Sequence, residues 1–433
     1  MTILVVVLAI FLLLLFGGMW LATACALLGL ILMYLNTGWS NMLVASSWVI
    51  WTSVDNFPLV AVPLYIFMGV ILTESGIAAR MYTSLAPVLN RLPGGLLYAN
   101  IAGGALFGAV SGSGTAAAAT IGPVALPEME KRKYPFRVSI GSIGAAASLD
   151  PIIPPSILMV FYGSITQTSI GRLFISGFIP GLILAGLYML YISATFHFSK
   201  DWKEIRGELL PWKTSLRMTK DIWEISVLMV VVLGSIFAGI ATPSESAAVG
   251  VVGSSLIALL HRRFTWRMMK RATIAAVVIT CQLQFIYFGV QILSAAMARM
   301  GLITKTTQFF LGLPVPPFCI LLIIFGIFVA LGCLMETIPL LLMIVPVVFP
   351  TVTTLGYDPT WFGLIVTFLC VIGNITPPVG VVLFVLQSLR PGRTWDIYMG
   401  LTPFILMTIL MLIIITVFPQ IALWLPNLML GAK

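Results

Sequence analysis

Two short segments place paired prolines inside long apolar stretches: SLDPIIPPSILMV at 148–160 and VIGNITPPVGVVL at 371–383. Proline lacks an N–H, so the carbonyl four residues earlier loses its helical partner. Pro154 thereby frees the carbonyl of Asp150, and Pro155 that of Pro151. Pro377 frees Gly373, and Pro378 frees Asn374. Freed carbonyls that converge form a hard-oxygen site, which suits a small hard cation and needs no carboxylate. Two further stretches complement the breaks: FGAVSGSGTAAAATIG at 107–122 and LGCLMETIP at 331–339. Each break alone reads equally well as a plain proline kink. Duplication of breaks and small-residue stretches together favours two symmetric cation sites.

Other reactive residue types are sparse. Glu336 lies in the second small-residue stretch, and an ionisable group at membrane depth is a functional candidate. Glu245 has a simpler role: Thr242-Pro243-Ser244-Glu245 fits a capping box with proline at the first helical position, with coupling or gating as the alternative. Glu74 reads as a helix-end residue near Arg80. His197 and His261 lie beside basic loops and receive no role. Cys25, Cys281, Cys319, Cys333 and Cys370 lack metal-type spacing and read as small buried hydrophobes. No HExxH motif occurs and lysine is confined to loops and ends, so no intramembrane enzyme is expected. The absence of a GxxxxGK[ST] loop argues against nucleotide use.

The elements that must position these residues are membrane helices. Of 433 residues, 60% are hydrophobic and 9% charged, with mean hydropathy +1.10. Soluble domains carry about 25% charge, so a water-soluble enzyme, a disordered chain and a secreted disulfide scaffold are all excluded. Apolar runs of about 20 residues recur throughout, which predicts an all-α polytopic membrane protein and not an alternating β-barrel. The N-terminal run lacks a basic flank and reads as a membrane helix. Residues 1–53 fit either three helices or a partly interfacial path. The net charge of +9 sits in short loops and reports topology, with no nucleic-acid partner implied. Basic loops at 128–137, 199–221 and 261–271, and the turn at Arg390 and Arg393, predict cytoplasmic positions. The segment 351–360 has no basic residue and is expected on the opposite, periplasmic side.

A shift of 223 residues exposes a repeat. Pro93, Pro123, Pro127, Pro154, Pro155 and Pro180 meet Pro316, Pro346, Pro350, Pro377, Pro378 and Pro403. Chance predicts about one such coincidence for eight and ten prolines in two 88-residue windows. The basic loop at 128–137 coincides with 351–360, which has no basic residue, so the copies are expected to be inverted. Inverted repeats with broken helices mark secondary transporters. The lengths from 93 and from 316 suit hairpins that enter and leave on one side. Non-helical backbone at membrane depth must be buried or line a cavity, so both tips are expected at a central site. The predicted organisation is scaffold helices and a first arm over 1–92, a repeat-1 core over 93–181, and scaffold and linker over 182–298. A repeat-2 core over 299–404 and a C-terminal helix over 405–433 complete it.

The motifs resemble a known family. SGSGTAAAATIGPVALPEMEKRKY (111–134), LDPIIPPSILMVFYGSITQTSIGRLFISGFIPG (149–181), ATPSESAAVGVV (241–252) and GNITPPVGVVLFV (373–385) are similar to the large, DctM-type membrane subunit of TRAP transporters. The resemblance covers essentially the whole chain. It implies elevator-type, sodium-coupled uptake in a bacterial inner membrane, without nucleotide. It also implies a small DctQ-type membrane subunit and a periplasmic DctP-type binding protein that delivers the substrate. By position, the first sodium site would use Gly108, Ser111, Asp150, Ile153 and Pro155, mainly through carbonyls. The second would use Gly332, Gly373, Thr376, Pro378 and Val379. Gly114 departs from the family's usual small hydroxyl residue and removes a side-chain oxygen there. Family substrates are small organic anions, and a carboxylate or sulfonate suits an arginine fork. Arg299 is the first substrate candidate, followed by Ser111, Ser156 and Asn374. A self-sufficient sodium–anion symporter of similar build, needing no binding protein, is the alternative.

Overall fold

The computed structural model describes residues 2–92, 94–111, 114–198, 211, 215, 222–377 and 380–431. Most of the basic loop 199–221 lies outside these residues. So do Pro93, Gly112, Ser113, Pro378, Val379 and the Ser111 side chain.

The described residues form nineteen α-helices. The N-terminal part holds α1 (Thr2–Phe16), α2 (Leu21–Val54), α3 (Ala61–Glu74) and α4 (Ile77–Leu89). Next come α5 (Leu96–Ser111), α6 (Gly114–Lys131), α7 (Phe136–Leu149), α8 (Ile157–Thr166) and α9 (Ile170–Phe198). A middle group follows: α10 (Trp223–Phe237), α11 (Pro243–Leu260), α12 (Trp266–Arg299) and α13 (Leu302–Leu311). The remainder is α14 (Pro317–Gly332), α15 (Thr337–Thr354), α16 (Pro359–Ile375), α17 (Val381–Leu389), α18 (Thr394–Val417) and α19 (Gln420–Leu430). Among the described residues, seven spans are long and apolar enough to cross a membrane. The N-terminal path holds α1 and α2, and α2 is interrupted at Gly38, where φ is +78° and the backbone is not helical, so three helical stretches result.

The repeat is visible in the helix boundaries. Helices α6 and α15 both begin and end 223 residues apart, at 114 and 337 and at 131 and 354. Helices α7 and α16 start 223 apart, at 136 and 359. In each copy two helices form a hairpin, α5 with α6 and α14 with α15. In each copy the next helix breaks, α7 into α8 and α16 into α17. The copies interlock: α7 packs on α18 while its mate α16 packs on α9. Likewise α8 packs on α15 while its mate α17 packs on α6.

Packing follows from composition. Helices α7 and α16 have scarcely a large polar side chain, and residues 139–149 and 360–373 are all buried. A helix apolar on every face belongs in the interior. Close crossings depend on glycine: a methyl on Gly141 would lie 2.1 Å from the Gly400 carbonyl oxygen, where α7 crosses α18. Small residues permit such approaches without a hydrophobic driving force between helices. A buried hydroxyl chain adds direction, Ser148 to Tyr188 at 2.9 Å and Tyr188 to Thr408 at 2.7 Å, tying α7, α9 and α18. The Asn100 amide donates to Ser142 at 2.7 Å and ties α5 to α7.

A second body of helices, α2, α3, α10, α11 and α12, packs alongside. Helix α12 has 34 residues, about 51 Å at 1.5 Å per residue, well beyond a bilayer core. The boundaries at 181 and 404 fall inside α9 and α18, which run unbroken through Pro180 and Pro403. Glu74 pairs with Arg271 at 3.1 Å rather than with Arg80. Arg80 instead approaches the His261 ring, whose other nitrogen meets Glu224 at 2.5 Å. The α3 end thus faces the first turns of α12, which a linear reading cannot see.

Candidate functional site

The two hairpins and the two broken helices converge on one cavity of about 810 Å³. From the first hairpin come Gly114 and Thr115, and from the second Glu336, Thr337 and Ile338. The breaks contribute Asp150, Pro151, Ser156, Asn374 and Ile375. The opposite wall is α2, α3 and α12, including Ala22, Gly69, Gln282 and Ile286. Sequence motifs did not single out this wall, because its residues sit on ordinary apolar helices.

Glycine governs how the tips meet the breaks. A methyl on Gly108 would lie 2.7 Å from the Asp150 Cα, so the end of α5 rests directly on the end of α7. The mate contact is glycine on glycine: a methyl on Gly373 would lie 2.6 Å from the Gly332 Cα. Each contact joins two helix C-termini, whose free carbonyls and dipoles favour a cation. The first residues of α6, α8, α15 and α17 line the same cavity. Helix N-termini favour an anion, although side chains already cap two of these, Ser156 accepting the Met159 N–H of α8 and Asn374 the Val381 N–H of α17. Gly114 has a steric reason, since a methyl there would lie 2.3 Å from the Ala147 carbonyl oxygen.

The residues expected at the first cation site are brought together in part. Gly108 and Asp150 touch, and Ile153 and Pro155 follow in the same buried break. Asp150 is 1% exposed, and neither carboxylate oxygen has a hydrogen-bond partner. The Gly114 N–H faces this carboxylate without reaching hydrogen-bond geometry. An unpartnered buried carboxylate is costly, and a sodium ion beside it would remove that cost, so the donor set fits the cation.

At the second site Gly332 and Gly373 touch, while Pro378 and Val379 lie outside the described residues. The Gly373 carbonyl is not left free by Pro377. It accepts the Thr376 N–H at 3.3 Å, because the chain tightens as it leaves the helix. The Thr376 hydroxyl donates back to the Ile372 carbonyl. Asn374 does structural work that its position did not advertise: its side-chain oxygen accepts the Val381 N–H at 3.0 Å and bridges the break.

The substrate candidates divide. Ser156 and Asn374 line the cavity. Ser156 is fully buried and caps α8 by accepting the Met159 N–H at 3.4 Å. Arg299 is not brought to the cavity. It is exposed at the end of α12, in a separate groove with Thr37, Asn41, Trp48 and Trp51. Helix α12 runs on past the breaks and carries it away. Glu245 is also remote from the cavity and completes a capping box: Thr242 accepts the Glu245 N–H at 3.3 Å, and Glu245 accepts the Thr242 N–H at 2.8 Å. Glu336 occupies the N-cap position of α15, makes no capping bond, and is exposed into the cavity.

Known proteins match the chain along nearly its whole length. Residues 8–421 match the family described as tripartite ATP-independent periplasmic transporter, DctM component. The C4-dicarboxylate TRAP transporter large permease protein DctM of Pseudomonas aeruginosa is 32% identical, over 86% of this chain and 87% of its own length. The sialic acid TRAP transporter large permease protein SiaM of Vibrio cholerae is 31% identical, over 93% and 97%. The isethionate TRAP transporter permease protein DctMQ of Oleidesulfovibrio alaskensis is 32% identical over 86% of this chain, which spans 59% of that longer protein. Among solved structures, the YdaH transporter of Alcanivorax borkumensis shares the fold, with a TM-score of 0.64 at 14% identity over 96% of this chain and 98% of its own. Motifs, helix order and family match run through nearly the whole length, and the chain is a multi-pass membrane permease that belongs to the DctM component of the tripartite ATP-independent periplasmic transporters.

Proposed function

We propose that this chain is the transport subunit of a sodium-coupled uptake system in a bacterial inner membrane, carrying a small organic acid by an elevator motion. The observation that carries the reading is the duplicated meeting of helix C-termini, Gly108 on Asp150 and Gly332 on Gly373. Sodium would supply positive charge at each meeting point. Asp150 with the neighbouring carbonyls would hold it at the first, and the ends of α14 and α16 at the second. Tip and break are then joined in each repeat, so the interlocked helices α5–α9 and α14–α18 move as one body against α2, α3 and α10–α12. The substrate acid is met by the N-termini of α6, α8 and α15 and by Ser156, not by Arg299. Relatives named for C4-dicarboxylate, sialic acid and isethionate transport support an acidic substrate.

The orientation has support as well. The cavity extends along α3 to Glu74, whose partner Arg271 belongs to a basic cluster. Basic clusters favour the cytoplasm, so the cavity faces inward. The family's tripartite name implies two further components, taken here as a small DctQ-type membrane subunit and a periplasmic DctP-type binding protein.

Proteoliposomes containing the large and small subunits test this reading. Uptake is expected only with an inward sodium gradient and with binding protein present, and with no effect of ATP. Full uptake without sodium overturns the coupling. Full uptake without the binding protein favours a self-sufficient symporter instead.

A further inference from the structure

The cavity holds three carboxylates, Glu74, Asp150 and Glu336. Among the described lining residues there is no lysine, arginine or histidine. The tip and break residues outside the described set are Gly112, Ser113, Pro378 and Val379, none of them basic. A second organic anion group entering this space would meet Asp150 and Glu336 with no basic side chain lining the cavity beside them. Like charges repel strongly where water is scarce.

The three acids are not equivalent. Glu74 is neutralised by Arg271 at 3.1 Å. Asp150, 1% exposed and without a hydrogen-bond partner, sits against Gly108, where the coupling cation would offset it. Glu336 has neither partner. It stands at the N-cap of α15, a position where a side chain usually bonds the second or third N–H. Its carboxylate makes no such bond and opens both on the main cavity and on a smaller one of about 320 Å³ beside Leu12, Met335 and Pro339. The first N–H groups of α15 therefore remain available to an anion, with an acceptor for a cation next to them.

We infer that the transported molecule is a small zwitterion, an ammonium group joined to a carboxylate or sulfonate, and that Glu336 receives the ammonium. The inference rests on the uptake reading above and narrows it. Two opposite charges on one small molecule match the two opposite features at the tip of the second hairpin: helix N–H groups for the acid, the Glu336 carboxylate for the amine. A charge-assisted bond in this setting is among the stronger polar contacts.

Matched probes test it on the full chain in detergent, by thermal stabilisation with and without sodium. Taurine pairs with isethionate, and β-alanine with 3-hydroxypropionate; each pair differs only in ammonium against hydroxyl. In sodium, at least one amine is expected to bind about tenfold more tightly than its hydroxyl twin. Glu336→Gln is expected to erase that preference, and Glu336→Asp to retain part of it, while stabilisation by sodium alone persists in both. Hydroxyl partners binding as well as the amines, or no amine binding at all, overturns the zwitterion while sodium stabilisation leaves the uptake reading standing. A preference untouched in Glu336→Gln overturns the role of Glu336. Loss of any response to sodium in the unaltered chain is a different result, and defeats the coupling on which both readings rest.

Discussion

Gly373 and Gly332 show how little room the second site allows. A methyl on Gly373 would lie 2.6 Å from the Gly332 Cα, and backbone cannot yield as a side chain can. Gly373→Ala is therefore expected to cost about 1–3 kcal/mol of stability by overpacking. It should also push the ends of α14 and α16 apart. Thermal unfolding with and without sodium checks both effects, and an unchanged melt that keeps its full sodium shift would refute the contact. The prolines act differently. Pro154→Ala and Pro377→Ala are expected to restore a helical hydrogen bond, spoil the break and raise the sodium concentration for half-maximal uptake. Pro377→Ala should be the milder of the two, since the Gly373 carbonyl already accepts the Thr376 N–H at 3.3 Å. Unaltered sodium dependence in both variants, at normal expression, would remove the assignment.

At the scale of elements, the equal lengths of α6 and α15 and the shared starts of α7 and α16 place matching loops at matching ends of each copy. The end of α6 and the start of α7 are held by ion pairs: Glu130 to Arg390, and Arg137 to Asp396 at 2.9 Å. The Arg390 bond holds the Glu130 carboxyl below the usual carboxylate range. At the α15 end no ion pair is found among the described residues: the Tyr162 hydroxyl donates to the Pro359 carbonyl at 2.8 Å, and the Asp358 carboxylate caps α16. This difference follows the basic character of 128–137 and the absence of any basic residue from 351–360. Single cysteines in the two loops should label from opposite sides of the membrane with an impermeant reagent. Labelling of both from outside intact cells would end the inverted reading.

For the whole molecule, the ion pairs Glu130–Arg390 and Arg137–Asp396 lie within the interlocked body, whereas other contacts, including those of α12 with α15 and of α3 with α5, join it to the second body. One is the Asn56 amide donating to Ser164 at 2.9 Å, beside the Phe161–Tyr287 ring pair at 5.8 Å. An elevator motion must break such contacts and spare the internal ones. A disulfide between Asn56→Cys and Ser164→Cys is expected to arrest uptake, and reduction to restore it. A disulfide between Glu130→Cys and Arg390→Cys should leave uptake largely intact. Arrest by the second bond alone would count against motion as one body.

Proline spacing carried most of the architecture, because a missing N–H marks a break whatever surrounds it. The capping box at Thr242 and Glu245 was legible for the same local reason. The repeat and the two tips followed from counting residues. Which side chains share the cavity was another matter. Arg299 lies at the end of a 34-residue helix, and only the path of that helix takes it away from the breaks. Asn374 bonds Val381 seven residues on, a pairing no periodicity announces. Glu74 meets Arg271 across two helices nearly two hundred residues apart. Local bonding rules act within a few residues and can be read along the chain. The balance of charge in a cavity is set by helices far apart in sequence, and only their packing decides it.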